Sequence, residues 1–220
     1  HYGIQITRPN WGFLSDTSGK RSFWIVAGMG ILAVGGMLAA TAVWLTEQAF
    51  WPGLGLNILA YILIGLGVGA SGTSLLALLA TATAPRRRPA AATITWLMMI
   101  LGIAATAGIV GAVLEPYSPE RMLRIVAVVA TGAFAVTCLA IWGVERGVHA
   151  ERAPEEQPFL QGLREVWAER DARRFTVFVF LSMTAYFMQE LILEPYAGLV
   201  FGFTPGQSTS LSGAQNGGVF

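Results

Sequence analysis

Residues Leu54–Ala82 read LGLNILAYILIGLGVGASGTSLLALLATA, 29 residues without a Lys, Arg, Asp or Glu. Coiled as an α-helix at 1.5 Å per residue, the stretch is about 44 Å long, more than the ~30 Å hydrocarbon core of a bilayer. A helix on the surface of a soluble core would show a polar stripe, and a half-buried strand would alternate with period two. Neither pattern is present, and the richness in Ala, Gly and Leu argues against a strand. The stretch reads as a membrane-spanning helix.

Four similar runs surround it: Ser22–Leu45, Pro89–Leu114, Met122–Val144 and Phe175–Gly198. Each of the five has between 23 and 29 residues. Hydrophobic residues make up 54% of the 220-residue chain and charged residues 12%, against about 25% charged in a soluble domain. The fold expected is all-α, a polytopic transmembrane helix bundle with five complete spans. His1 is not a start residue, and Ser208–Phe220 reads as the beginning of another helix, so a piece of a longer protein is expected. The single Cys138 lies in an apolar run, which leaves no disulfide framework and no Cys-based metal site.

Orientation follows from the loops. One alternate set holds Arg8, Lys20, Arg21, Arg86, Arg87, Arg88, Arg146, Arg152, Arg164, Arg170, Arg173 and Arg174, which is 12 of the 14 basic residues. The other set holds Arg121 and Arg124. Basic residues are retained on the cytoplasmic side. The loops around Asp16, Arg87 and Glu155 are therefore expected to face the cytoplasm, and those around Phe50, Pro116 and Pro205 to face outward. In the long charged loop 145–174, Phe159, Leu160, Leu163, Val166 and Trp167 recur at helical spacing, which predicts a short amphipathic helix on the membrane face. Trp24, Trp44, Trp51, Trp96, Trp142 and Tyr117 lie mostly near span ends, as an interfacial aromatic belt would.

Small residues repeat every four positions: Gly65, Gly69 and Thr73, then Gly67 and Ser71, then Ala104, Gly108 and Ala112. Such spacing lets helix backbones approach each other where lipid offers no hydrophobic contrast. It predicts packing and no chemistry.

The most specific local pattern is Gly12-Phe-Leu14-Ser-Asp16-Thr-Ser-Gly19-Lys20-Arg21. A carboxylate sits beside cations in a short loop whose glycines permit a tight turn. It resembles the signature loop of the major facilitator superfamily at Gly12, Leu14, Asp16, Gly19, Lys20 and Arg21, and departs from it at Thr17, where a basic residue is usual. In that superfamily the loop joins the second and third helices. The resemblance thus implies that this chain is a fragment covering about helices 3 to 7 of 12. Residues 1–144 would belong to the N-terminal six-helix half, 145–174 to the connection between halves, and 175–220 to the start of the C-terminal half. Gly12, Asp16, Gly19, Lys20 and Arg21 would serve in gating.

Three further stretches are similar to the bacteriochlorophyll delivery (PucC/LhaA-like) family of purple phototrophic bacteria: Gly69–Leu76, Arg87–Met99 and Leu181–Tyr196. The likeness spans nearly the whole chain, and the Gln189…Leu193-Glu194-Pro195-Tyr196 segment is its most specific part. It implies a membrane assembly factor that binds or delivers bacteriochlorophyll to light-harvesting and reaction-centre complexes. Implied partners are those subunits or pigment-synthesis enzymes, with lipid around them and no nucleic acid, in the photosynthetic intracytoplasmic membrane.

Glu190 and Glu194 are the acids inside an expected span, and four residues apart they share a helix face. An ionisable group in hydrocarbon costs several kcal/mol and marks a functional hypothesis. Gln189 and Tyr196, seven apart, lie along a second stripe. Gln189, Glu190, Glu194 and Tyr196 are the candidate pigment contacts, through hydrogen bonds or oxygen coordination of magnesium. The bland alternative is an interfacial carboxylate followed by a helix-breaking Pro195. His149, in the polar loop, and His1 are poorly placed as magnesium ligands. Two other function classes compete. A proton-coupled small-solute transporter fits the same fold. A membrane enzyme of prenyl-transferase type needs clustered aspartates to hold magnesium diphosphate, whereas this chain has Asp16 and Asp171 alone. No catalytic group and no metal site is assigned.

Overall fold

The computed structural model describes residues 11, 12, 14, 15, 18–147, 164, 165 and 167–218, with backbone alone for Arg146, Tyr186, Phe187 and Glu190. Among the described residues six longer helices follow one another: α1 (Arg21–Gln48), α2 (Phe50–Ala82), α3 (Arg88–Val113), α4 (Pro119–Ile141), α5 (Arg170–Phe201) and α6 (Pro205–Gly218). Short 3-10 turns stand at Pro85–Arg87 and Val144–Gly147. Among the described residues there is no strand. Helices α1, α2, α4 and the Pro85–Val113 segment that contains α3 are each long and apolar enough to cross a membrane. This is a multi-pass membrane protein. The fifth expected span falls within α5, a continuous helix of 32 residues. The described apolar stretch there, Leu191–Phe201, is too short to cross by itself.

The chain divides into two compact units. The first comprises residues 1–96 and 117–151, the second 97–116 and 152–220.

In the first unit α1 and α2 form a tight antiparallel pair, and α4 packs along α1. A β-carbon placed on Gly28 would lie 2.5 Å from Ser71 N and 2.9 Å from Gly67 O, and one on Gly67 would lie 2.6 Å from Leu32 N. Backbone meets backbone here, so the Gly67/Ser71 spacing marks the face that α1 covers. The Ser71 hydroxyl turns back to Gly67 O at 2.8 Å, and Thr41 and Thr46 do the same to Met37 O and Ala42 O. Each hydroxyl thereby finds an acceptor on its own helix, as a low-dielectric surrounding requires.

In the second unit α5 and α6 form a hairpin. Gly202 ends α5 with φ 67°, a left-handed conformation that favours glycine, and Phe203 N–H reaches back to Ala197 O at 3.2 Å. A reciprocal cap opens α6. Thr204 N–H donates to Gln207 Oε1 at 3.0 Å, and Gln207 N–H donates to Thr204 Oγ1 at 3.3 Å. Pro205 occupies the first turn, where its missing N–H costs nothing. The end of α3 meets α6 through small residues. A β-carbon on Gly213 would lie 2.9 Å from Gly108 N and 3.1 Å from Ala104 O, and one on Gly206 would lie 2.7 Å from Gly111 O. Ala104 packs against α6 as its spacing predicts, but a β-carbon on exposed Gly108 would meet nothing within 4 Å, so its smallness is not used there. Gly111, not Ala112, carries the stripe onward.

Two expectations need correction. Pro195 does not break α5, which runs six residues further to Phe201. A proline interrupts a single carbonyl partner one turn back, and its locked φ suits a helix, so an otherwise apolar helix continues through it. The helix also starts at Arg170, five residues before the apolar run, so Arg170, Arg173 and Arg174 lie in its first turns. The amphipathic helix expected over Phe159–Trp167 lies largely outside the described residues.

Candidate functional site

The first candidate cluster is the signature loop. Asp16 and Thr17 lie outside the described residues. Around them Ser15 is buried, its hydroxyl donating to Gly12 O at 3.0 Å, and a β-carbon on Gly12 would touch Thr73 Cγ2 at 3.7 Å. Gly19 turns the chain with φ 62°. The Ser18 hydroxyl accepts from Trp24 Nε1 at 2.9 Å, and Trp24 packs against Trp11 and Phe23. Lys20 is exposed.

Arg21 ties three helix ends together. Its backbone N–H donates to Glu145 Oε1 at 2.7 Å, and the N–H of Ser22 donates to Oε2 at 3.2 Å. One carboxylate thus satisfies two orphan donors in the first turn of α1, where the helix dipole favours a negative charge. The Arg21 guanidinium reaches the other way, donating to Ala77 O at 3.2 Å and Thr81 Oγ1 at 2.6 Å in the last turns of α2. The arginine of the loop is therefore a clasp between helices. Glu145 was no more than the first residue of a loop in the sequence reading. An acid directly after an apolar run hints at a helix-end contact, but nothing local links it to a residue 124 positions earlier.

The second cluster lies on α5 and α6. Gln189 is exposed, and exposed Ile192, three residues on, lies on the same helix face. Tyr196 is half exposed, with its ring 5.8 Å from Phe201. Glu194 turns to α6 and accepts from the Ser212 hydroxyl at 2.9 Å. Glu190 is helical, and its side chain lies outside the described residues. Glu194 sits seven residues inside the end of α5, about 10 Å from it. That is deeper than an end at Gly198 implied, because α5 continues past Pro195. A second carboxylate bonds α6 as well: Glu115, beyond α3, accepts from the Thr204 hydroxyl. The sequence reading missed Ser212 and Thr204 as partners. A Ser/Thr-x-x-Gln box at Thr204–Gln207 is the signal that reveals where α6 begins.

Among the described residues no group of three or more His, Cys, Asp or Glu could hold a metal ion. His1 and His149 lie outside them.

A sequence profile of the PUCC protein family matches residues 1–220. The chain belongs to the PUCC protein family. It is 65% identical over 222 residues to the "Bacteriochlorophyll synthase 44.5 kDa chain" of Rhodobacter capsulatus, covering 100% of this chain and 52% of that one. It is 29% identical to the protein PucC of Cereibacter sphaeroides over 78% of this chain and 38% of that one. A PucC protein of Rhodobacter capsulatus is 26% identical over 91% of this chain and 47% of its own length. The chain spans about half the length, or less, of these curated relatives. No solved structure matches it. The PUCC match covers both units, so the Arg21–Glu145 clasp and the Glu194–Ser212 pair both fall within the family's region.

Proposed function

We propose that this PUCC protein is an assembly factor that holds bacteriochlorophyll in the membrane and hands it to light-harvesting or reaction-centre subunits. The family match over residues 1–220 supports the reading, together with the printed name of the 65% identical relative, which refers to bacteriochlorophyll. The chain's residues suit such a cargo. Gln189 carries a hard amide oxygen on an exposed helix face beside apolar Ile192, and such an oxygen would suit coordination of magnesium. Glu194, Tyr196 and Glu190 bring further polar groups to the same helix. A planar macrocycle can lie on the apolar face while a single oxygen fixes it.

The architecture behind this reading is that of the major facilitator superfamily, with these helices as about the third to the eighth of twelve. Residues 1–144 belong to one half, 145–174 to the connection and 175–220 to the other half. The Arg-rich loops face the cytoplasm of the photosynthetic membrane.

The word "synthase" in the name of the 65% identical relative favours a second reading, a non-catalytic chain of a pigment-synthesis assembly. The residues give little support to catalysis by this chain, since its two aspartates stand at positions 16 and 171.

The test is absorbance of the full-length protein purified in mild detergent. Bacteriochlorophyll is expected to copurify. Gln189→Leu with Glu190→Gln is expected to lower the pigment-to-protein ratio at least ~3-fold with thermal stability unchanged, and Glu194→Gln to matter less for pigment. Full pigment content in the double variant would move the contact elsewhere. A pigment-free wild type would leave the solute-transporter reading in its place.

A further inference from the structure

Three consecutive arginines stand between α2 and α3. Arg86 and Arg87 lie in the 3-10 turn Pro85–Arg87, and Arg88 opens α3. All three are exposed. Arg88 Nε donates to Thr83 O at 3.4 Å, which leans it against the end of α2. The ion pairs formed among the described residues, Arg124 with Glu120 and Arg174 with Asp171, do not involve them.

The described carboxylate at this end of the first unit is Glu145, and both of its oxygens are taken by the N–H groups of Arg21 and Ser22. Its charge answers a helix terminus rather than a guanidinium. Exposed Lys20 adds a further cation. The helix end thus carries a concentrated positive charge, and no described acid of this unit is seen in an ion pair with Arg86, Arg87 or Arg88.

Immediately beyond the arginines α3 becomes apolar and narrow. Ala92 lies one turn beyond Arg88 and one turn before Trp96, so Arg88, Ala92 and Trp96 share one helix face, and Trp96 is 57% exposed. Trp96 is eight residues from Arg88, about 12 Å along the helix. The surfaces along that one face are therefore a guanidinium, a shallow alanine, then a broad aromatic side chain.

We infer that this end of α3 is a binding site for an anionic phospholipid, with the phosphodiester on Arg86–Arg88 and an acyl chain over Ala92 against Trp96. A guanidinium fork donates two parallel hydrogen bonds to a phosphate, which an ammonium cannot do. A zwitterionic lipid brings its own cation into the same positive field and is disfavoured there. A net-negative headgroup such as phosphatidylglycerol is favoured. The retention of basic loops on one side of a membrane accounts for positive charge, but not for its placement in line with Ala92 and an exposed Trp96 on one helix face.

The experiment uses the full-length protein in detergent micelles doped with phosphatidylglycerol or phosphatidylcholine, with retained lipid counted by native mass spectrometry. Wild type is expected to retain phosphatidylglycerol roughly tenfold over phosphatidylcholine. The variant with Arg86, Arg87 and Arg88 all replaced by Gln loses that preference. The triple Lys variant, which keeps the loop charge and hence the insertion, retains less than half of it. Trp96→Ala lowers retention of both lipids. Equal retention of the two lipids by wild type overturns the inference, as does an undiminished preference in the Lys variant.

Discussion

Glu145→Ala removes both acceptors from the first turn of α1 at once. The wild-type carboxylate receives Arg21 N–H at 2.7 Å and Ser22 N–H at 3.2 Å, and it is half-buried. A hydrogen bond to a charged group contributes about 1.5–3 kcal/mol, and a negative charge beside a helix N-terminus about 0.3–1 kcal/mol. The position is only half-buried, so water recovers part of each loss. The expected net cost for Glu145→Ala is then about 1–3 kcal/mol. Glu145→Gln keeps one acceptor oxygen and turns an NH2 toward the second N–H, so its cost is roughly half as large. Thermal unfolding in mild detergent, followed by tryptophan fluorescence, reads the effect. Trp24 lies in the first turn of α1 and packs against Trp11 and Phe23, so it reports on this region. The expected order of stability is wild type, then Gln, then Ala. An Ala variant as stable as wild type would show that water caps α1 as well as Glu145 does. A Gln variant as weak as Ala would show that charge, and not the pair of acceptors, holds the turn.

Gly28→Ala places a methyl 2.5 Å from Ser71 N and 2.9 Å from Gly67 O, both unyielding backbone, so α1 and α2 must part. The expected cost in the same unfolding assay is about 1–3 kcal/mol, whereas Gly55→Ala, with nothing within 4 Å, serves as the neutral control. Single cysteines at Arg87 and Gln157 are expected to react with a membrane-impermeant thiol reagent from the cytoplasmic side alone, and one at Phe50 from outside alone. The opposite pattern would overturn the charge argument for orientation.

The helices were legible because a bilayer sets a length that sequence can meet or fail to meet. Leu54–Ala82 satisfies it without a charge, and α2 runs through all of it. Helix faces were partly legible too. Gly67 and Ser71 repeat at the spacing of one helix face, and that face meets Gly28 and Leu32 of α1. Partners were not legible. Arg21 stood in a recognisable motif, yet nothing near it in the chain announces Ala77, Thr81 or Glu145, because spacing encodes which residues share a face and not which element covers it. The same limit applies at the candidate pigment face. Glu190 and Glu194 share a face by periodicity, but the hydroxyl that meets Glu194 comes from Ser212, beyond a turn that only Gly202 and the Thr204–Gln207 box foretell. Pro195 marks where a local rule misleads. Its one lost hydrogen bond is small beside the cost of unwinding six further residues whose backbone groups would have no water to turn to, so the helix continues and carries Glu194 deeper. The placement of that carboxylate was therefore fixed by backbone satisfaction across the end of α5, a non-local requirement that overrides the proline.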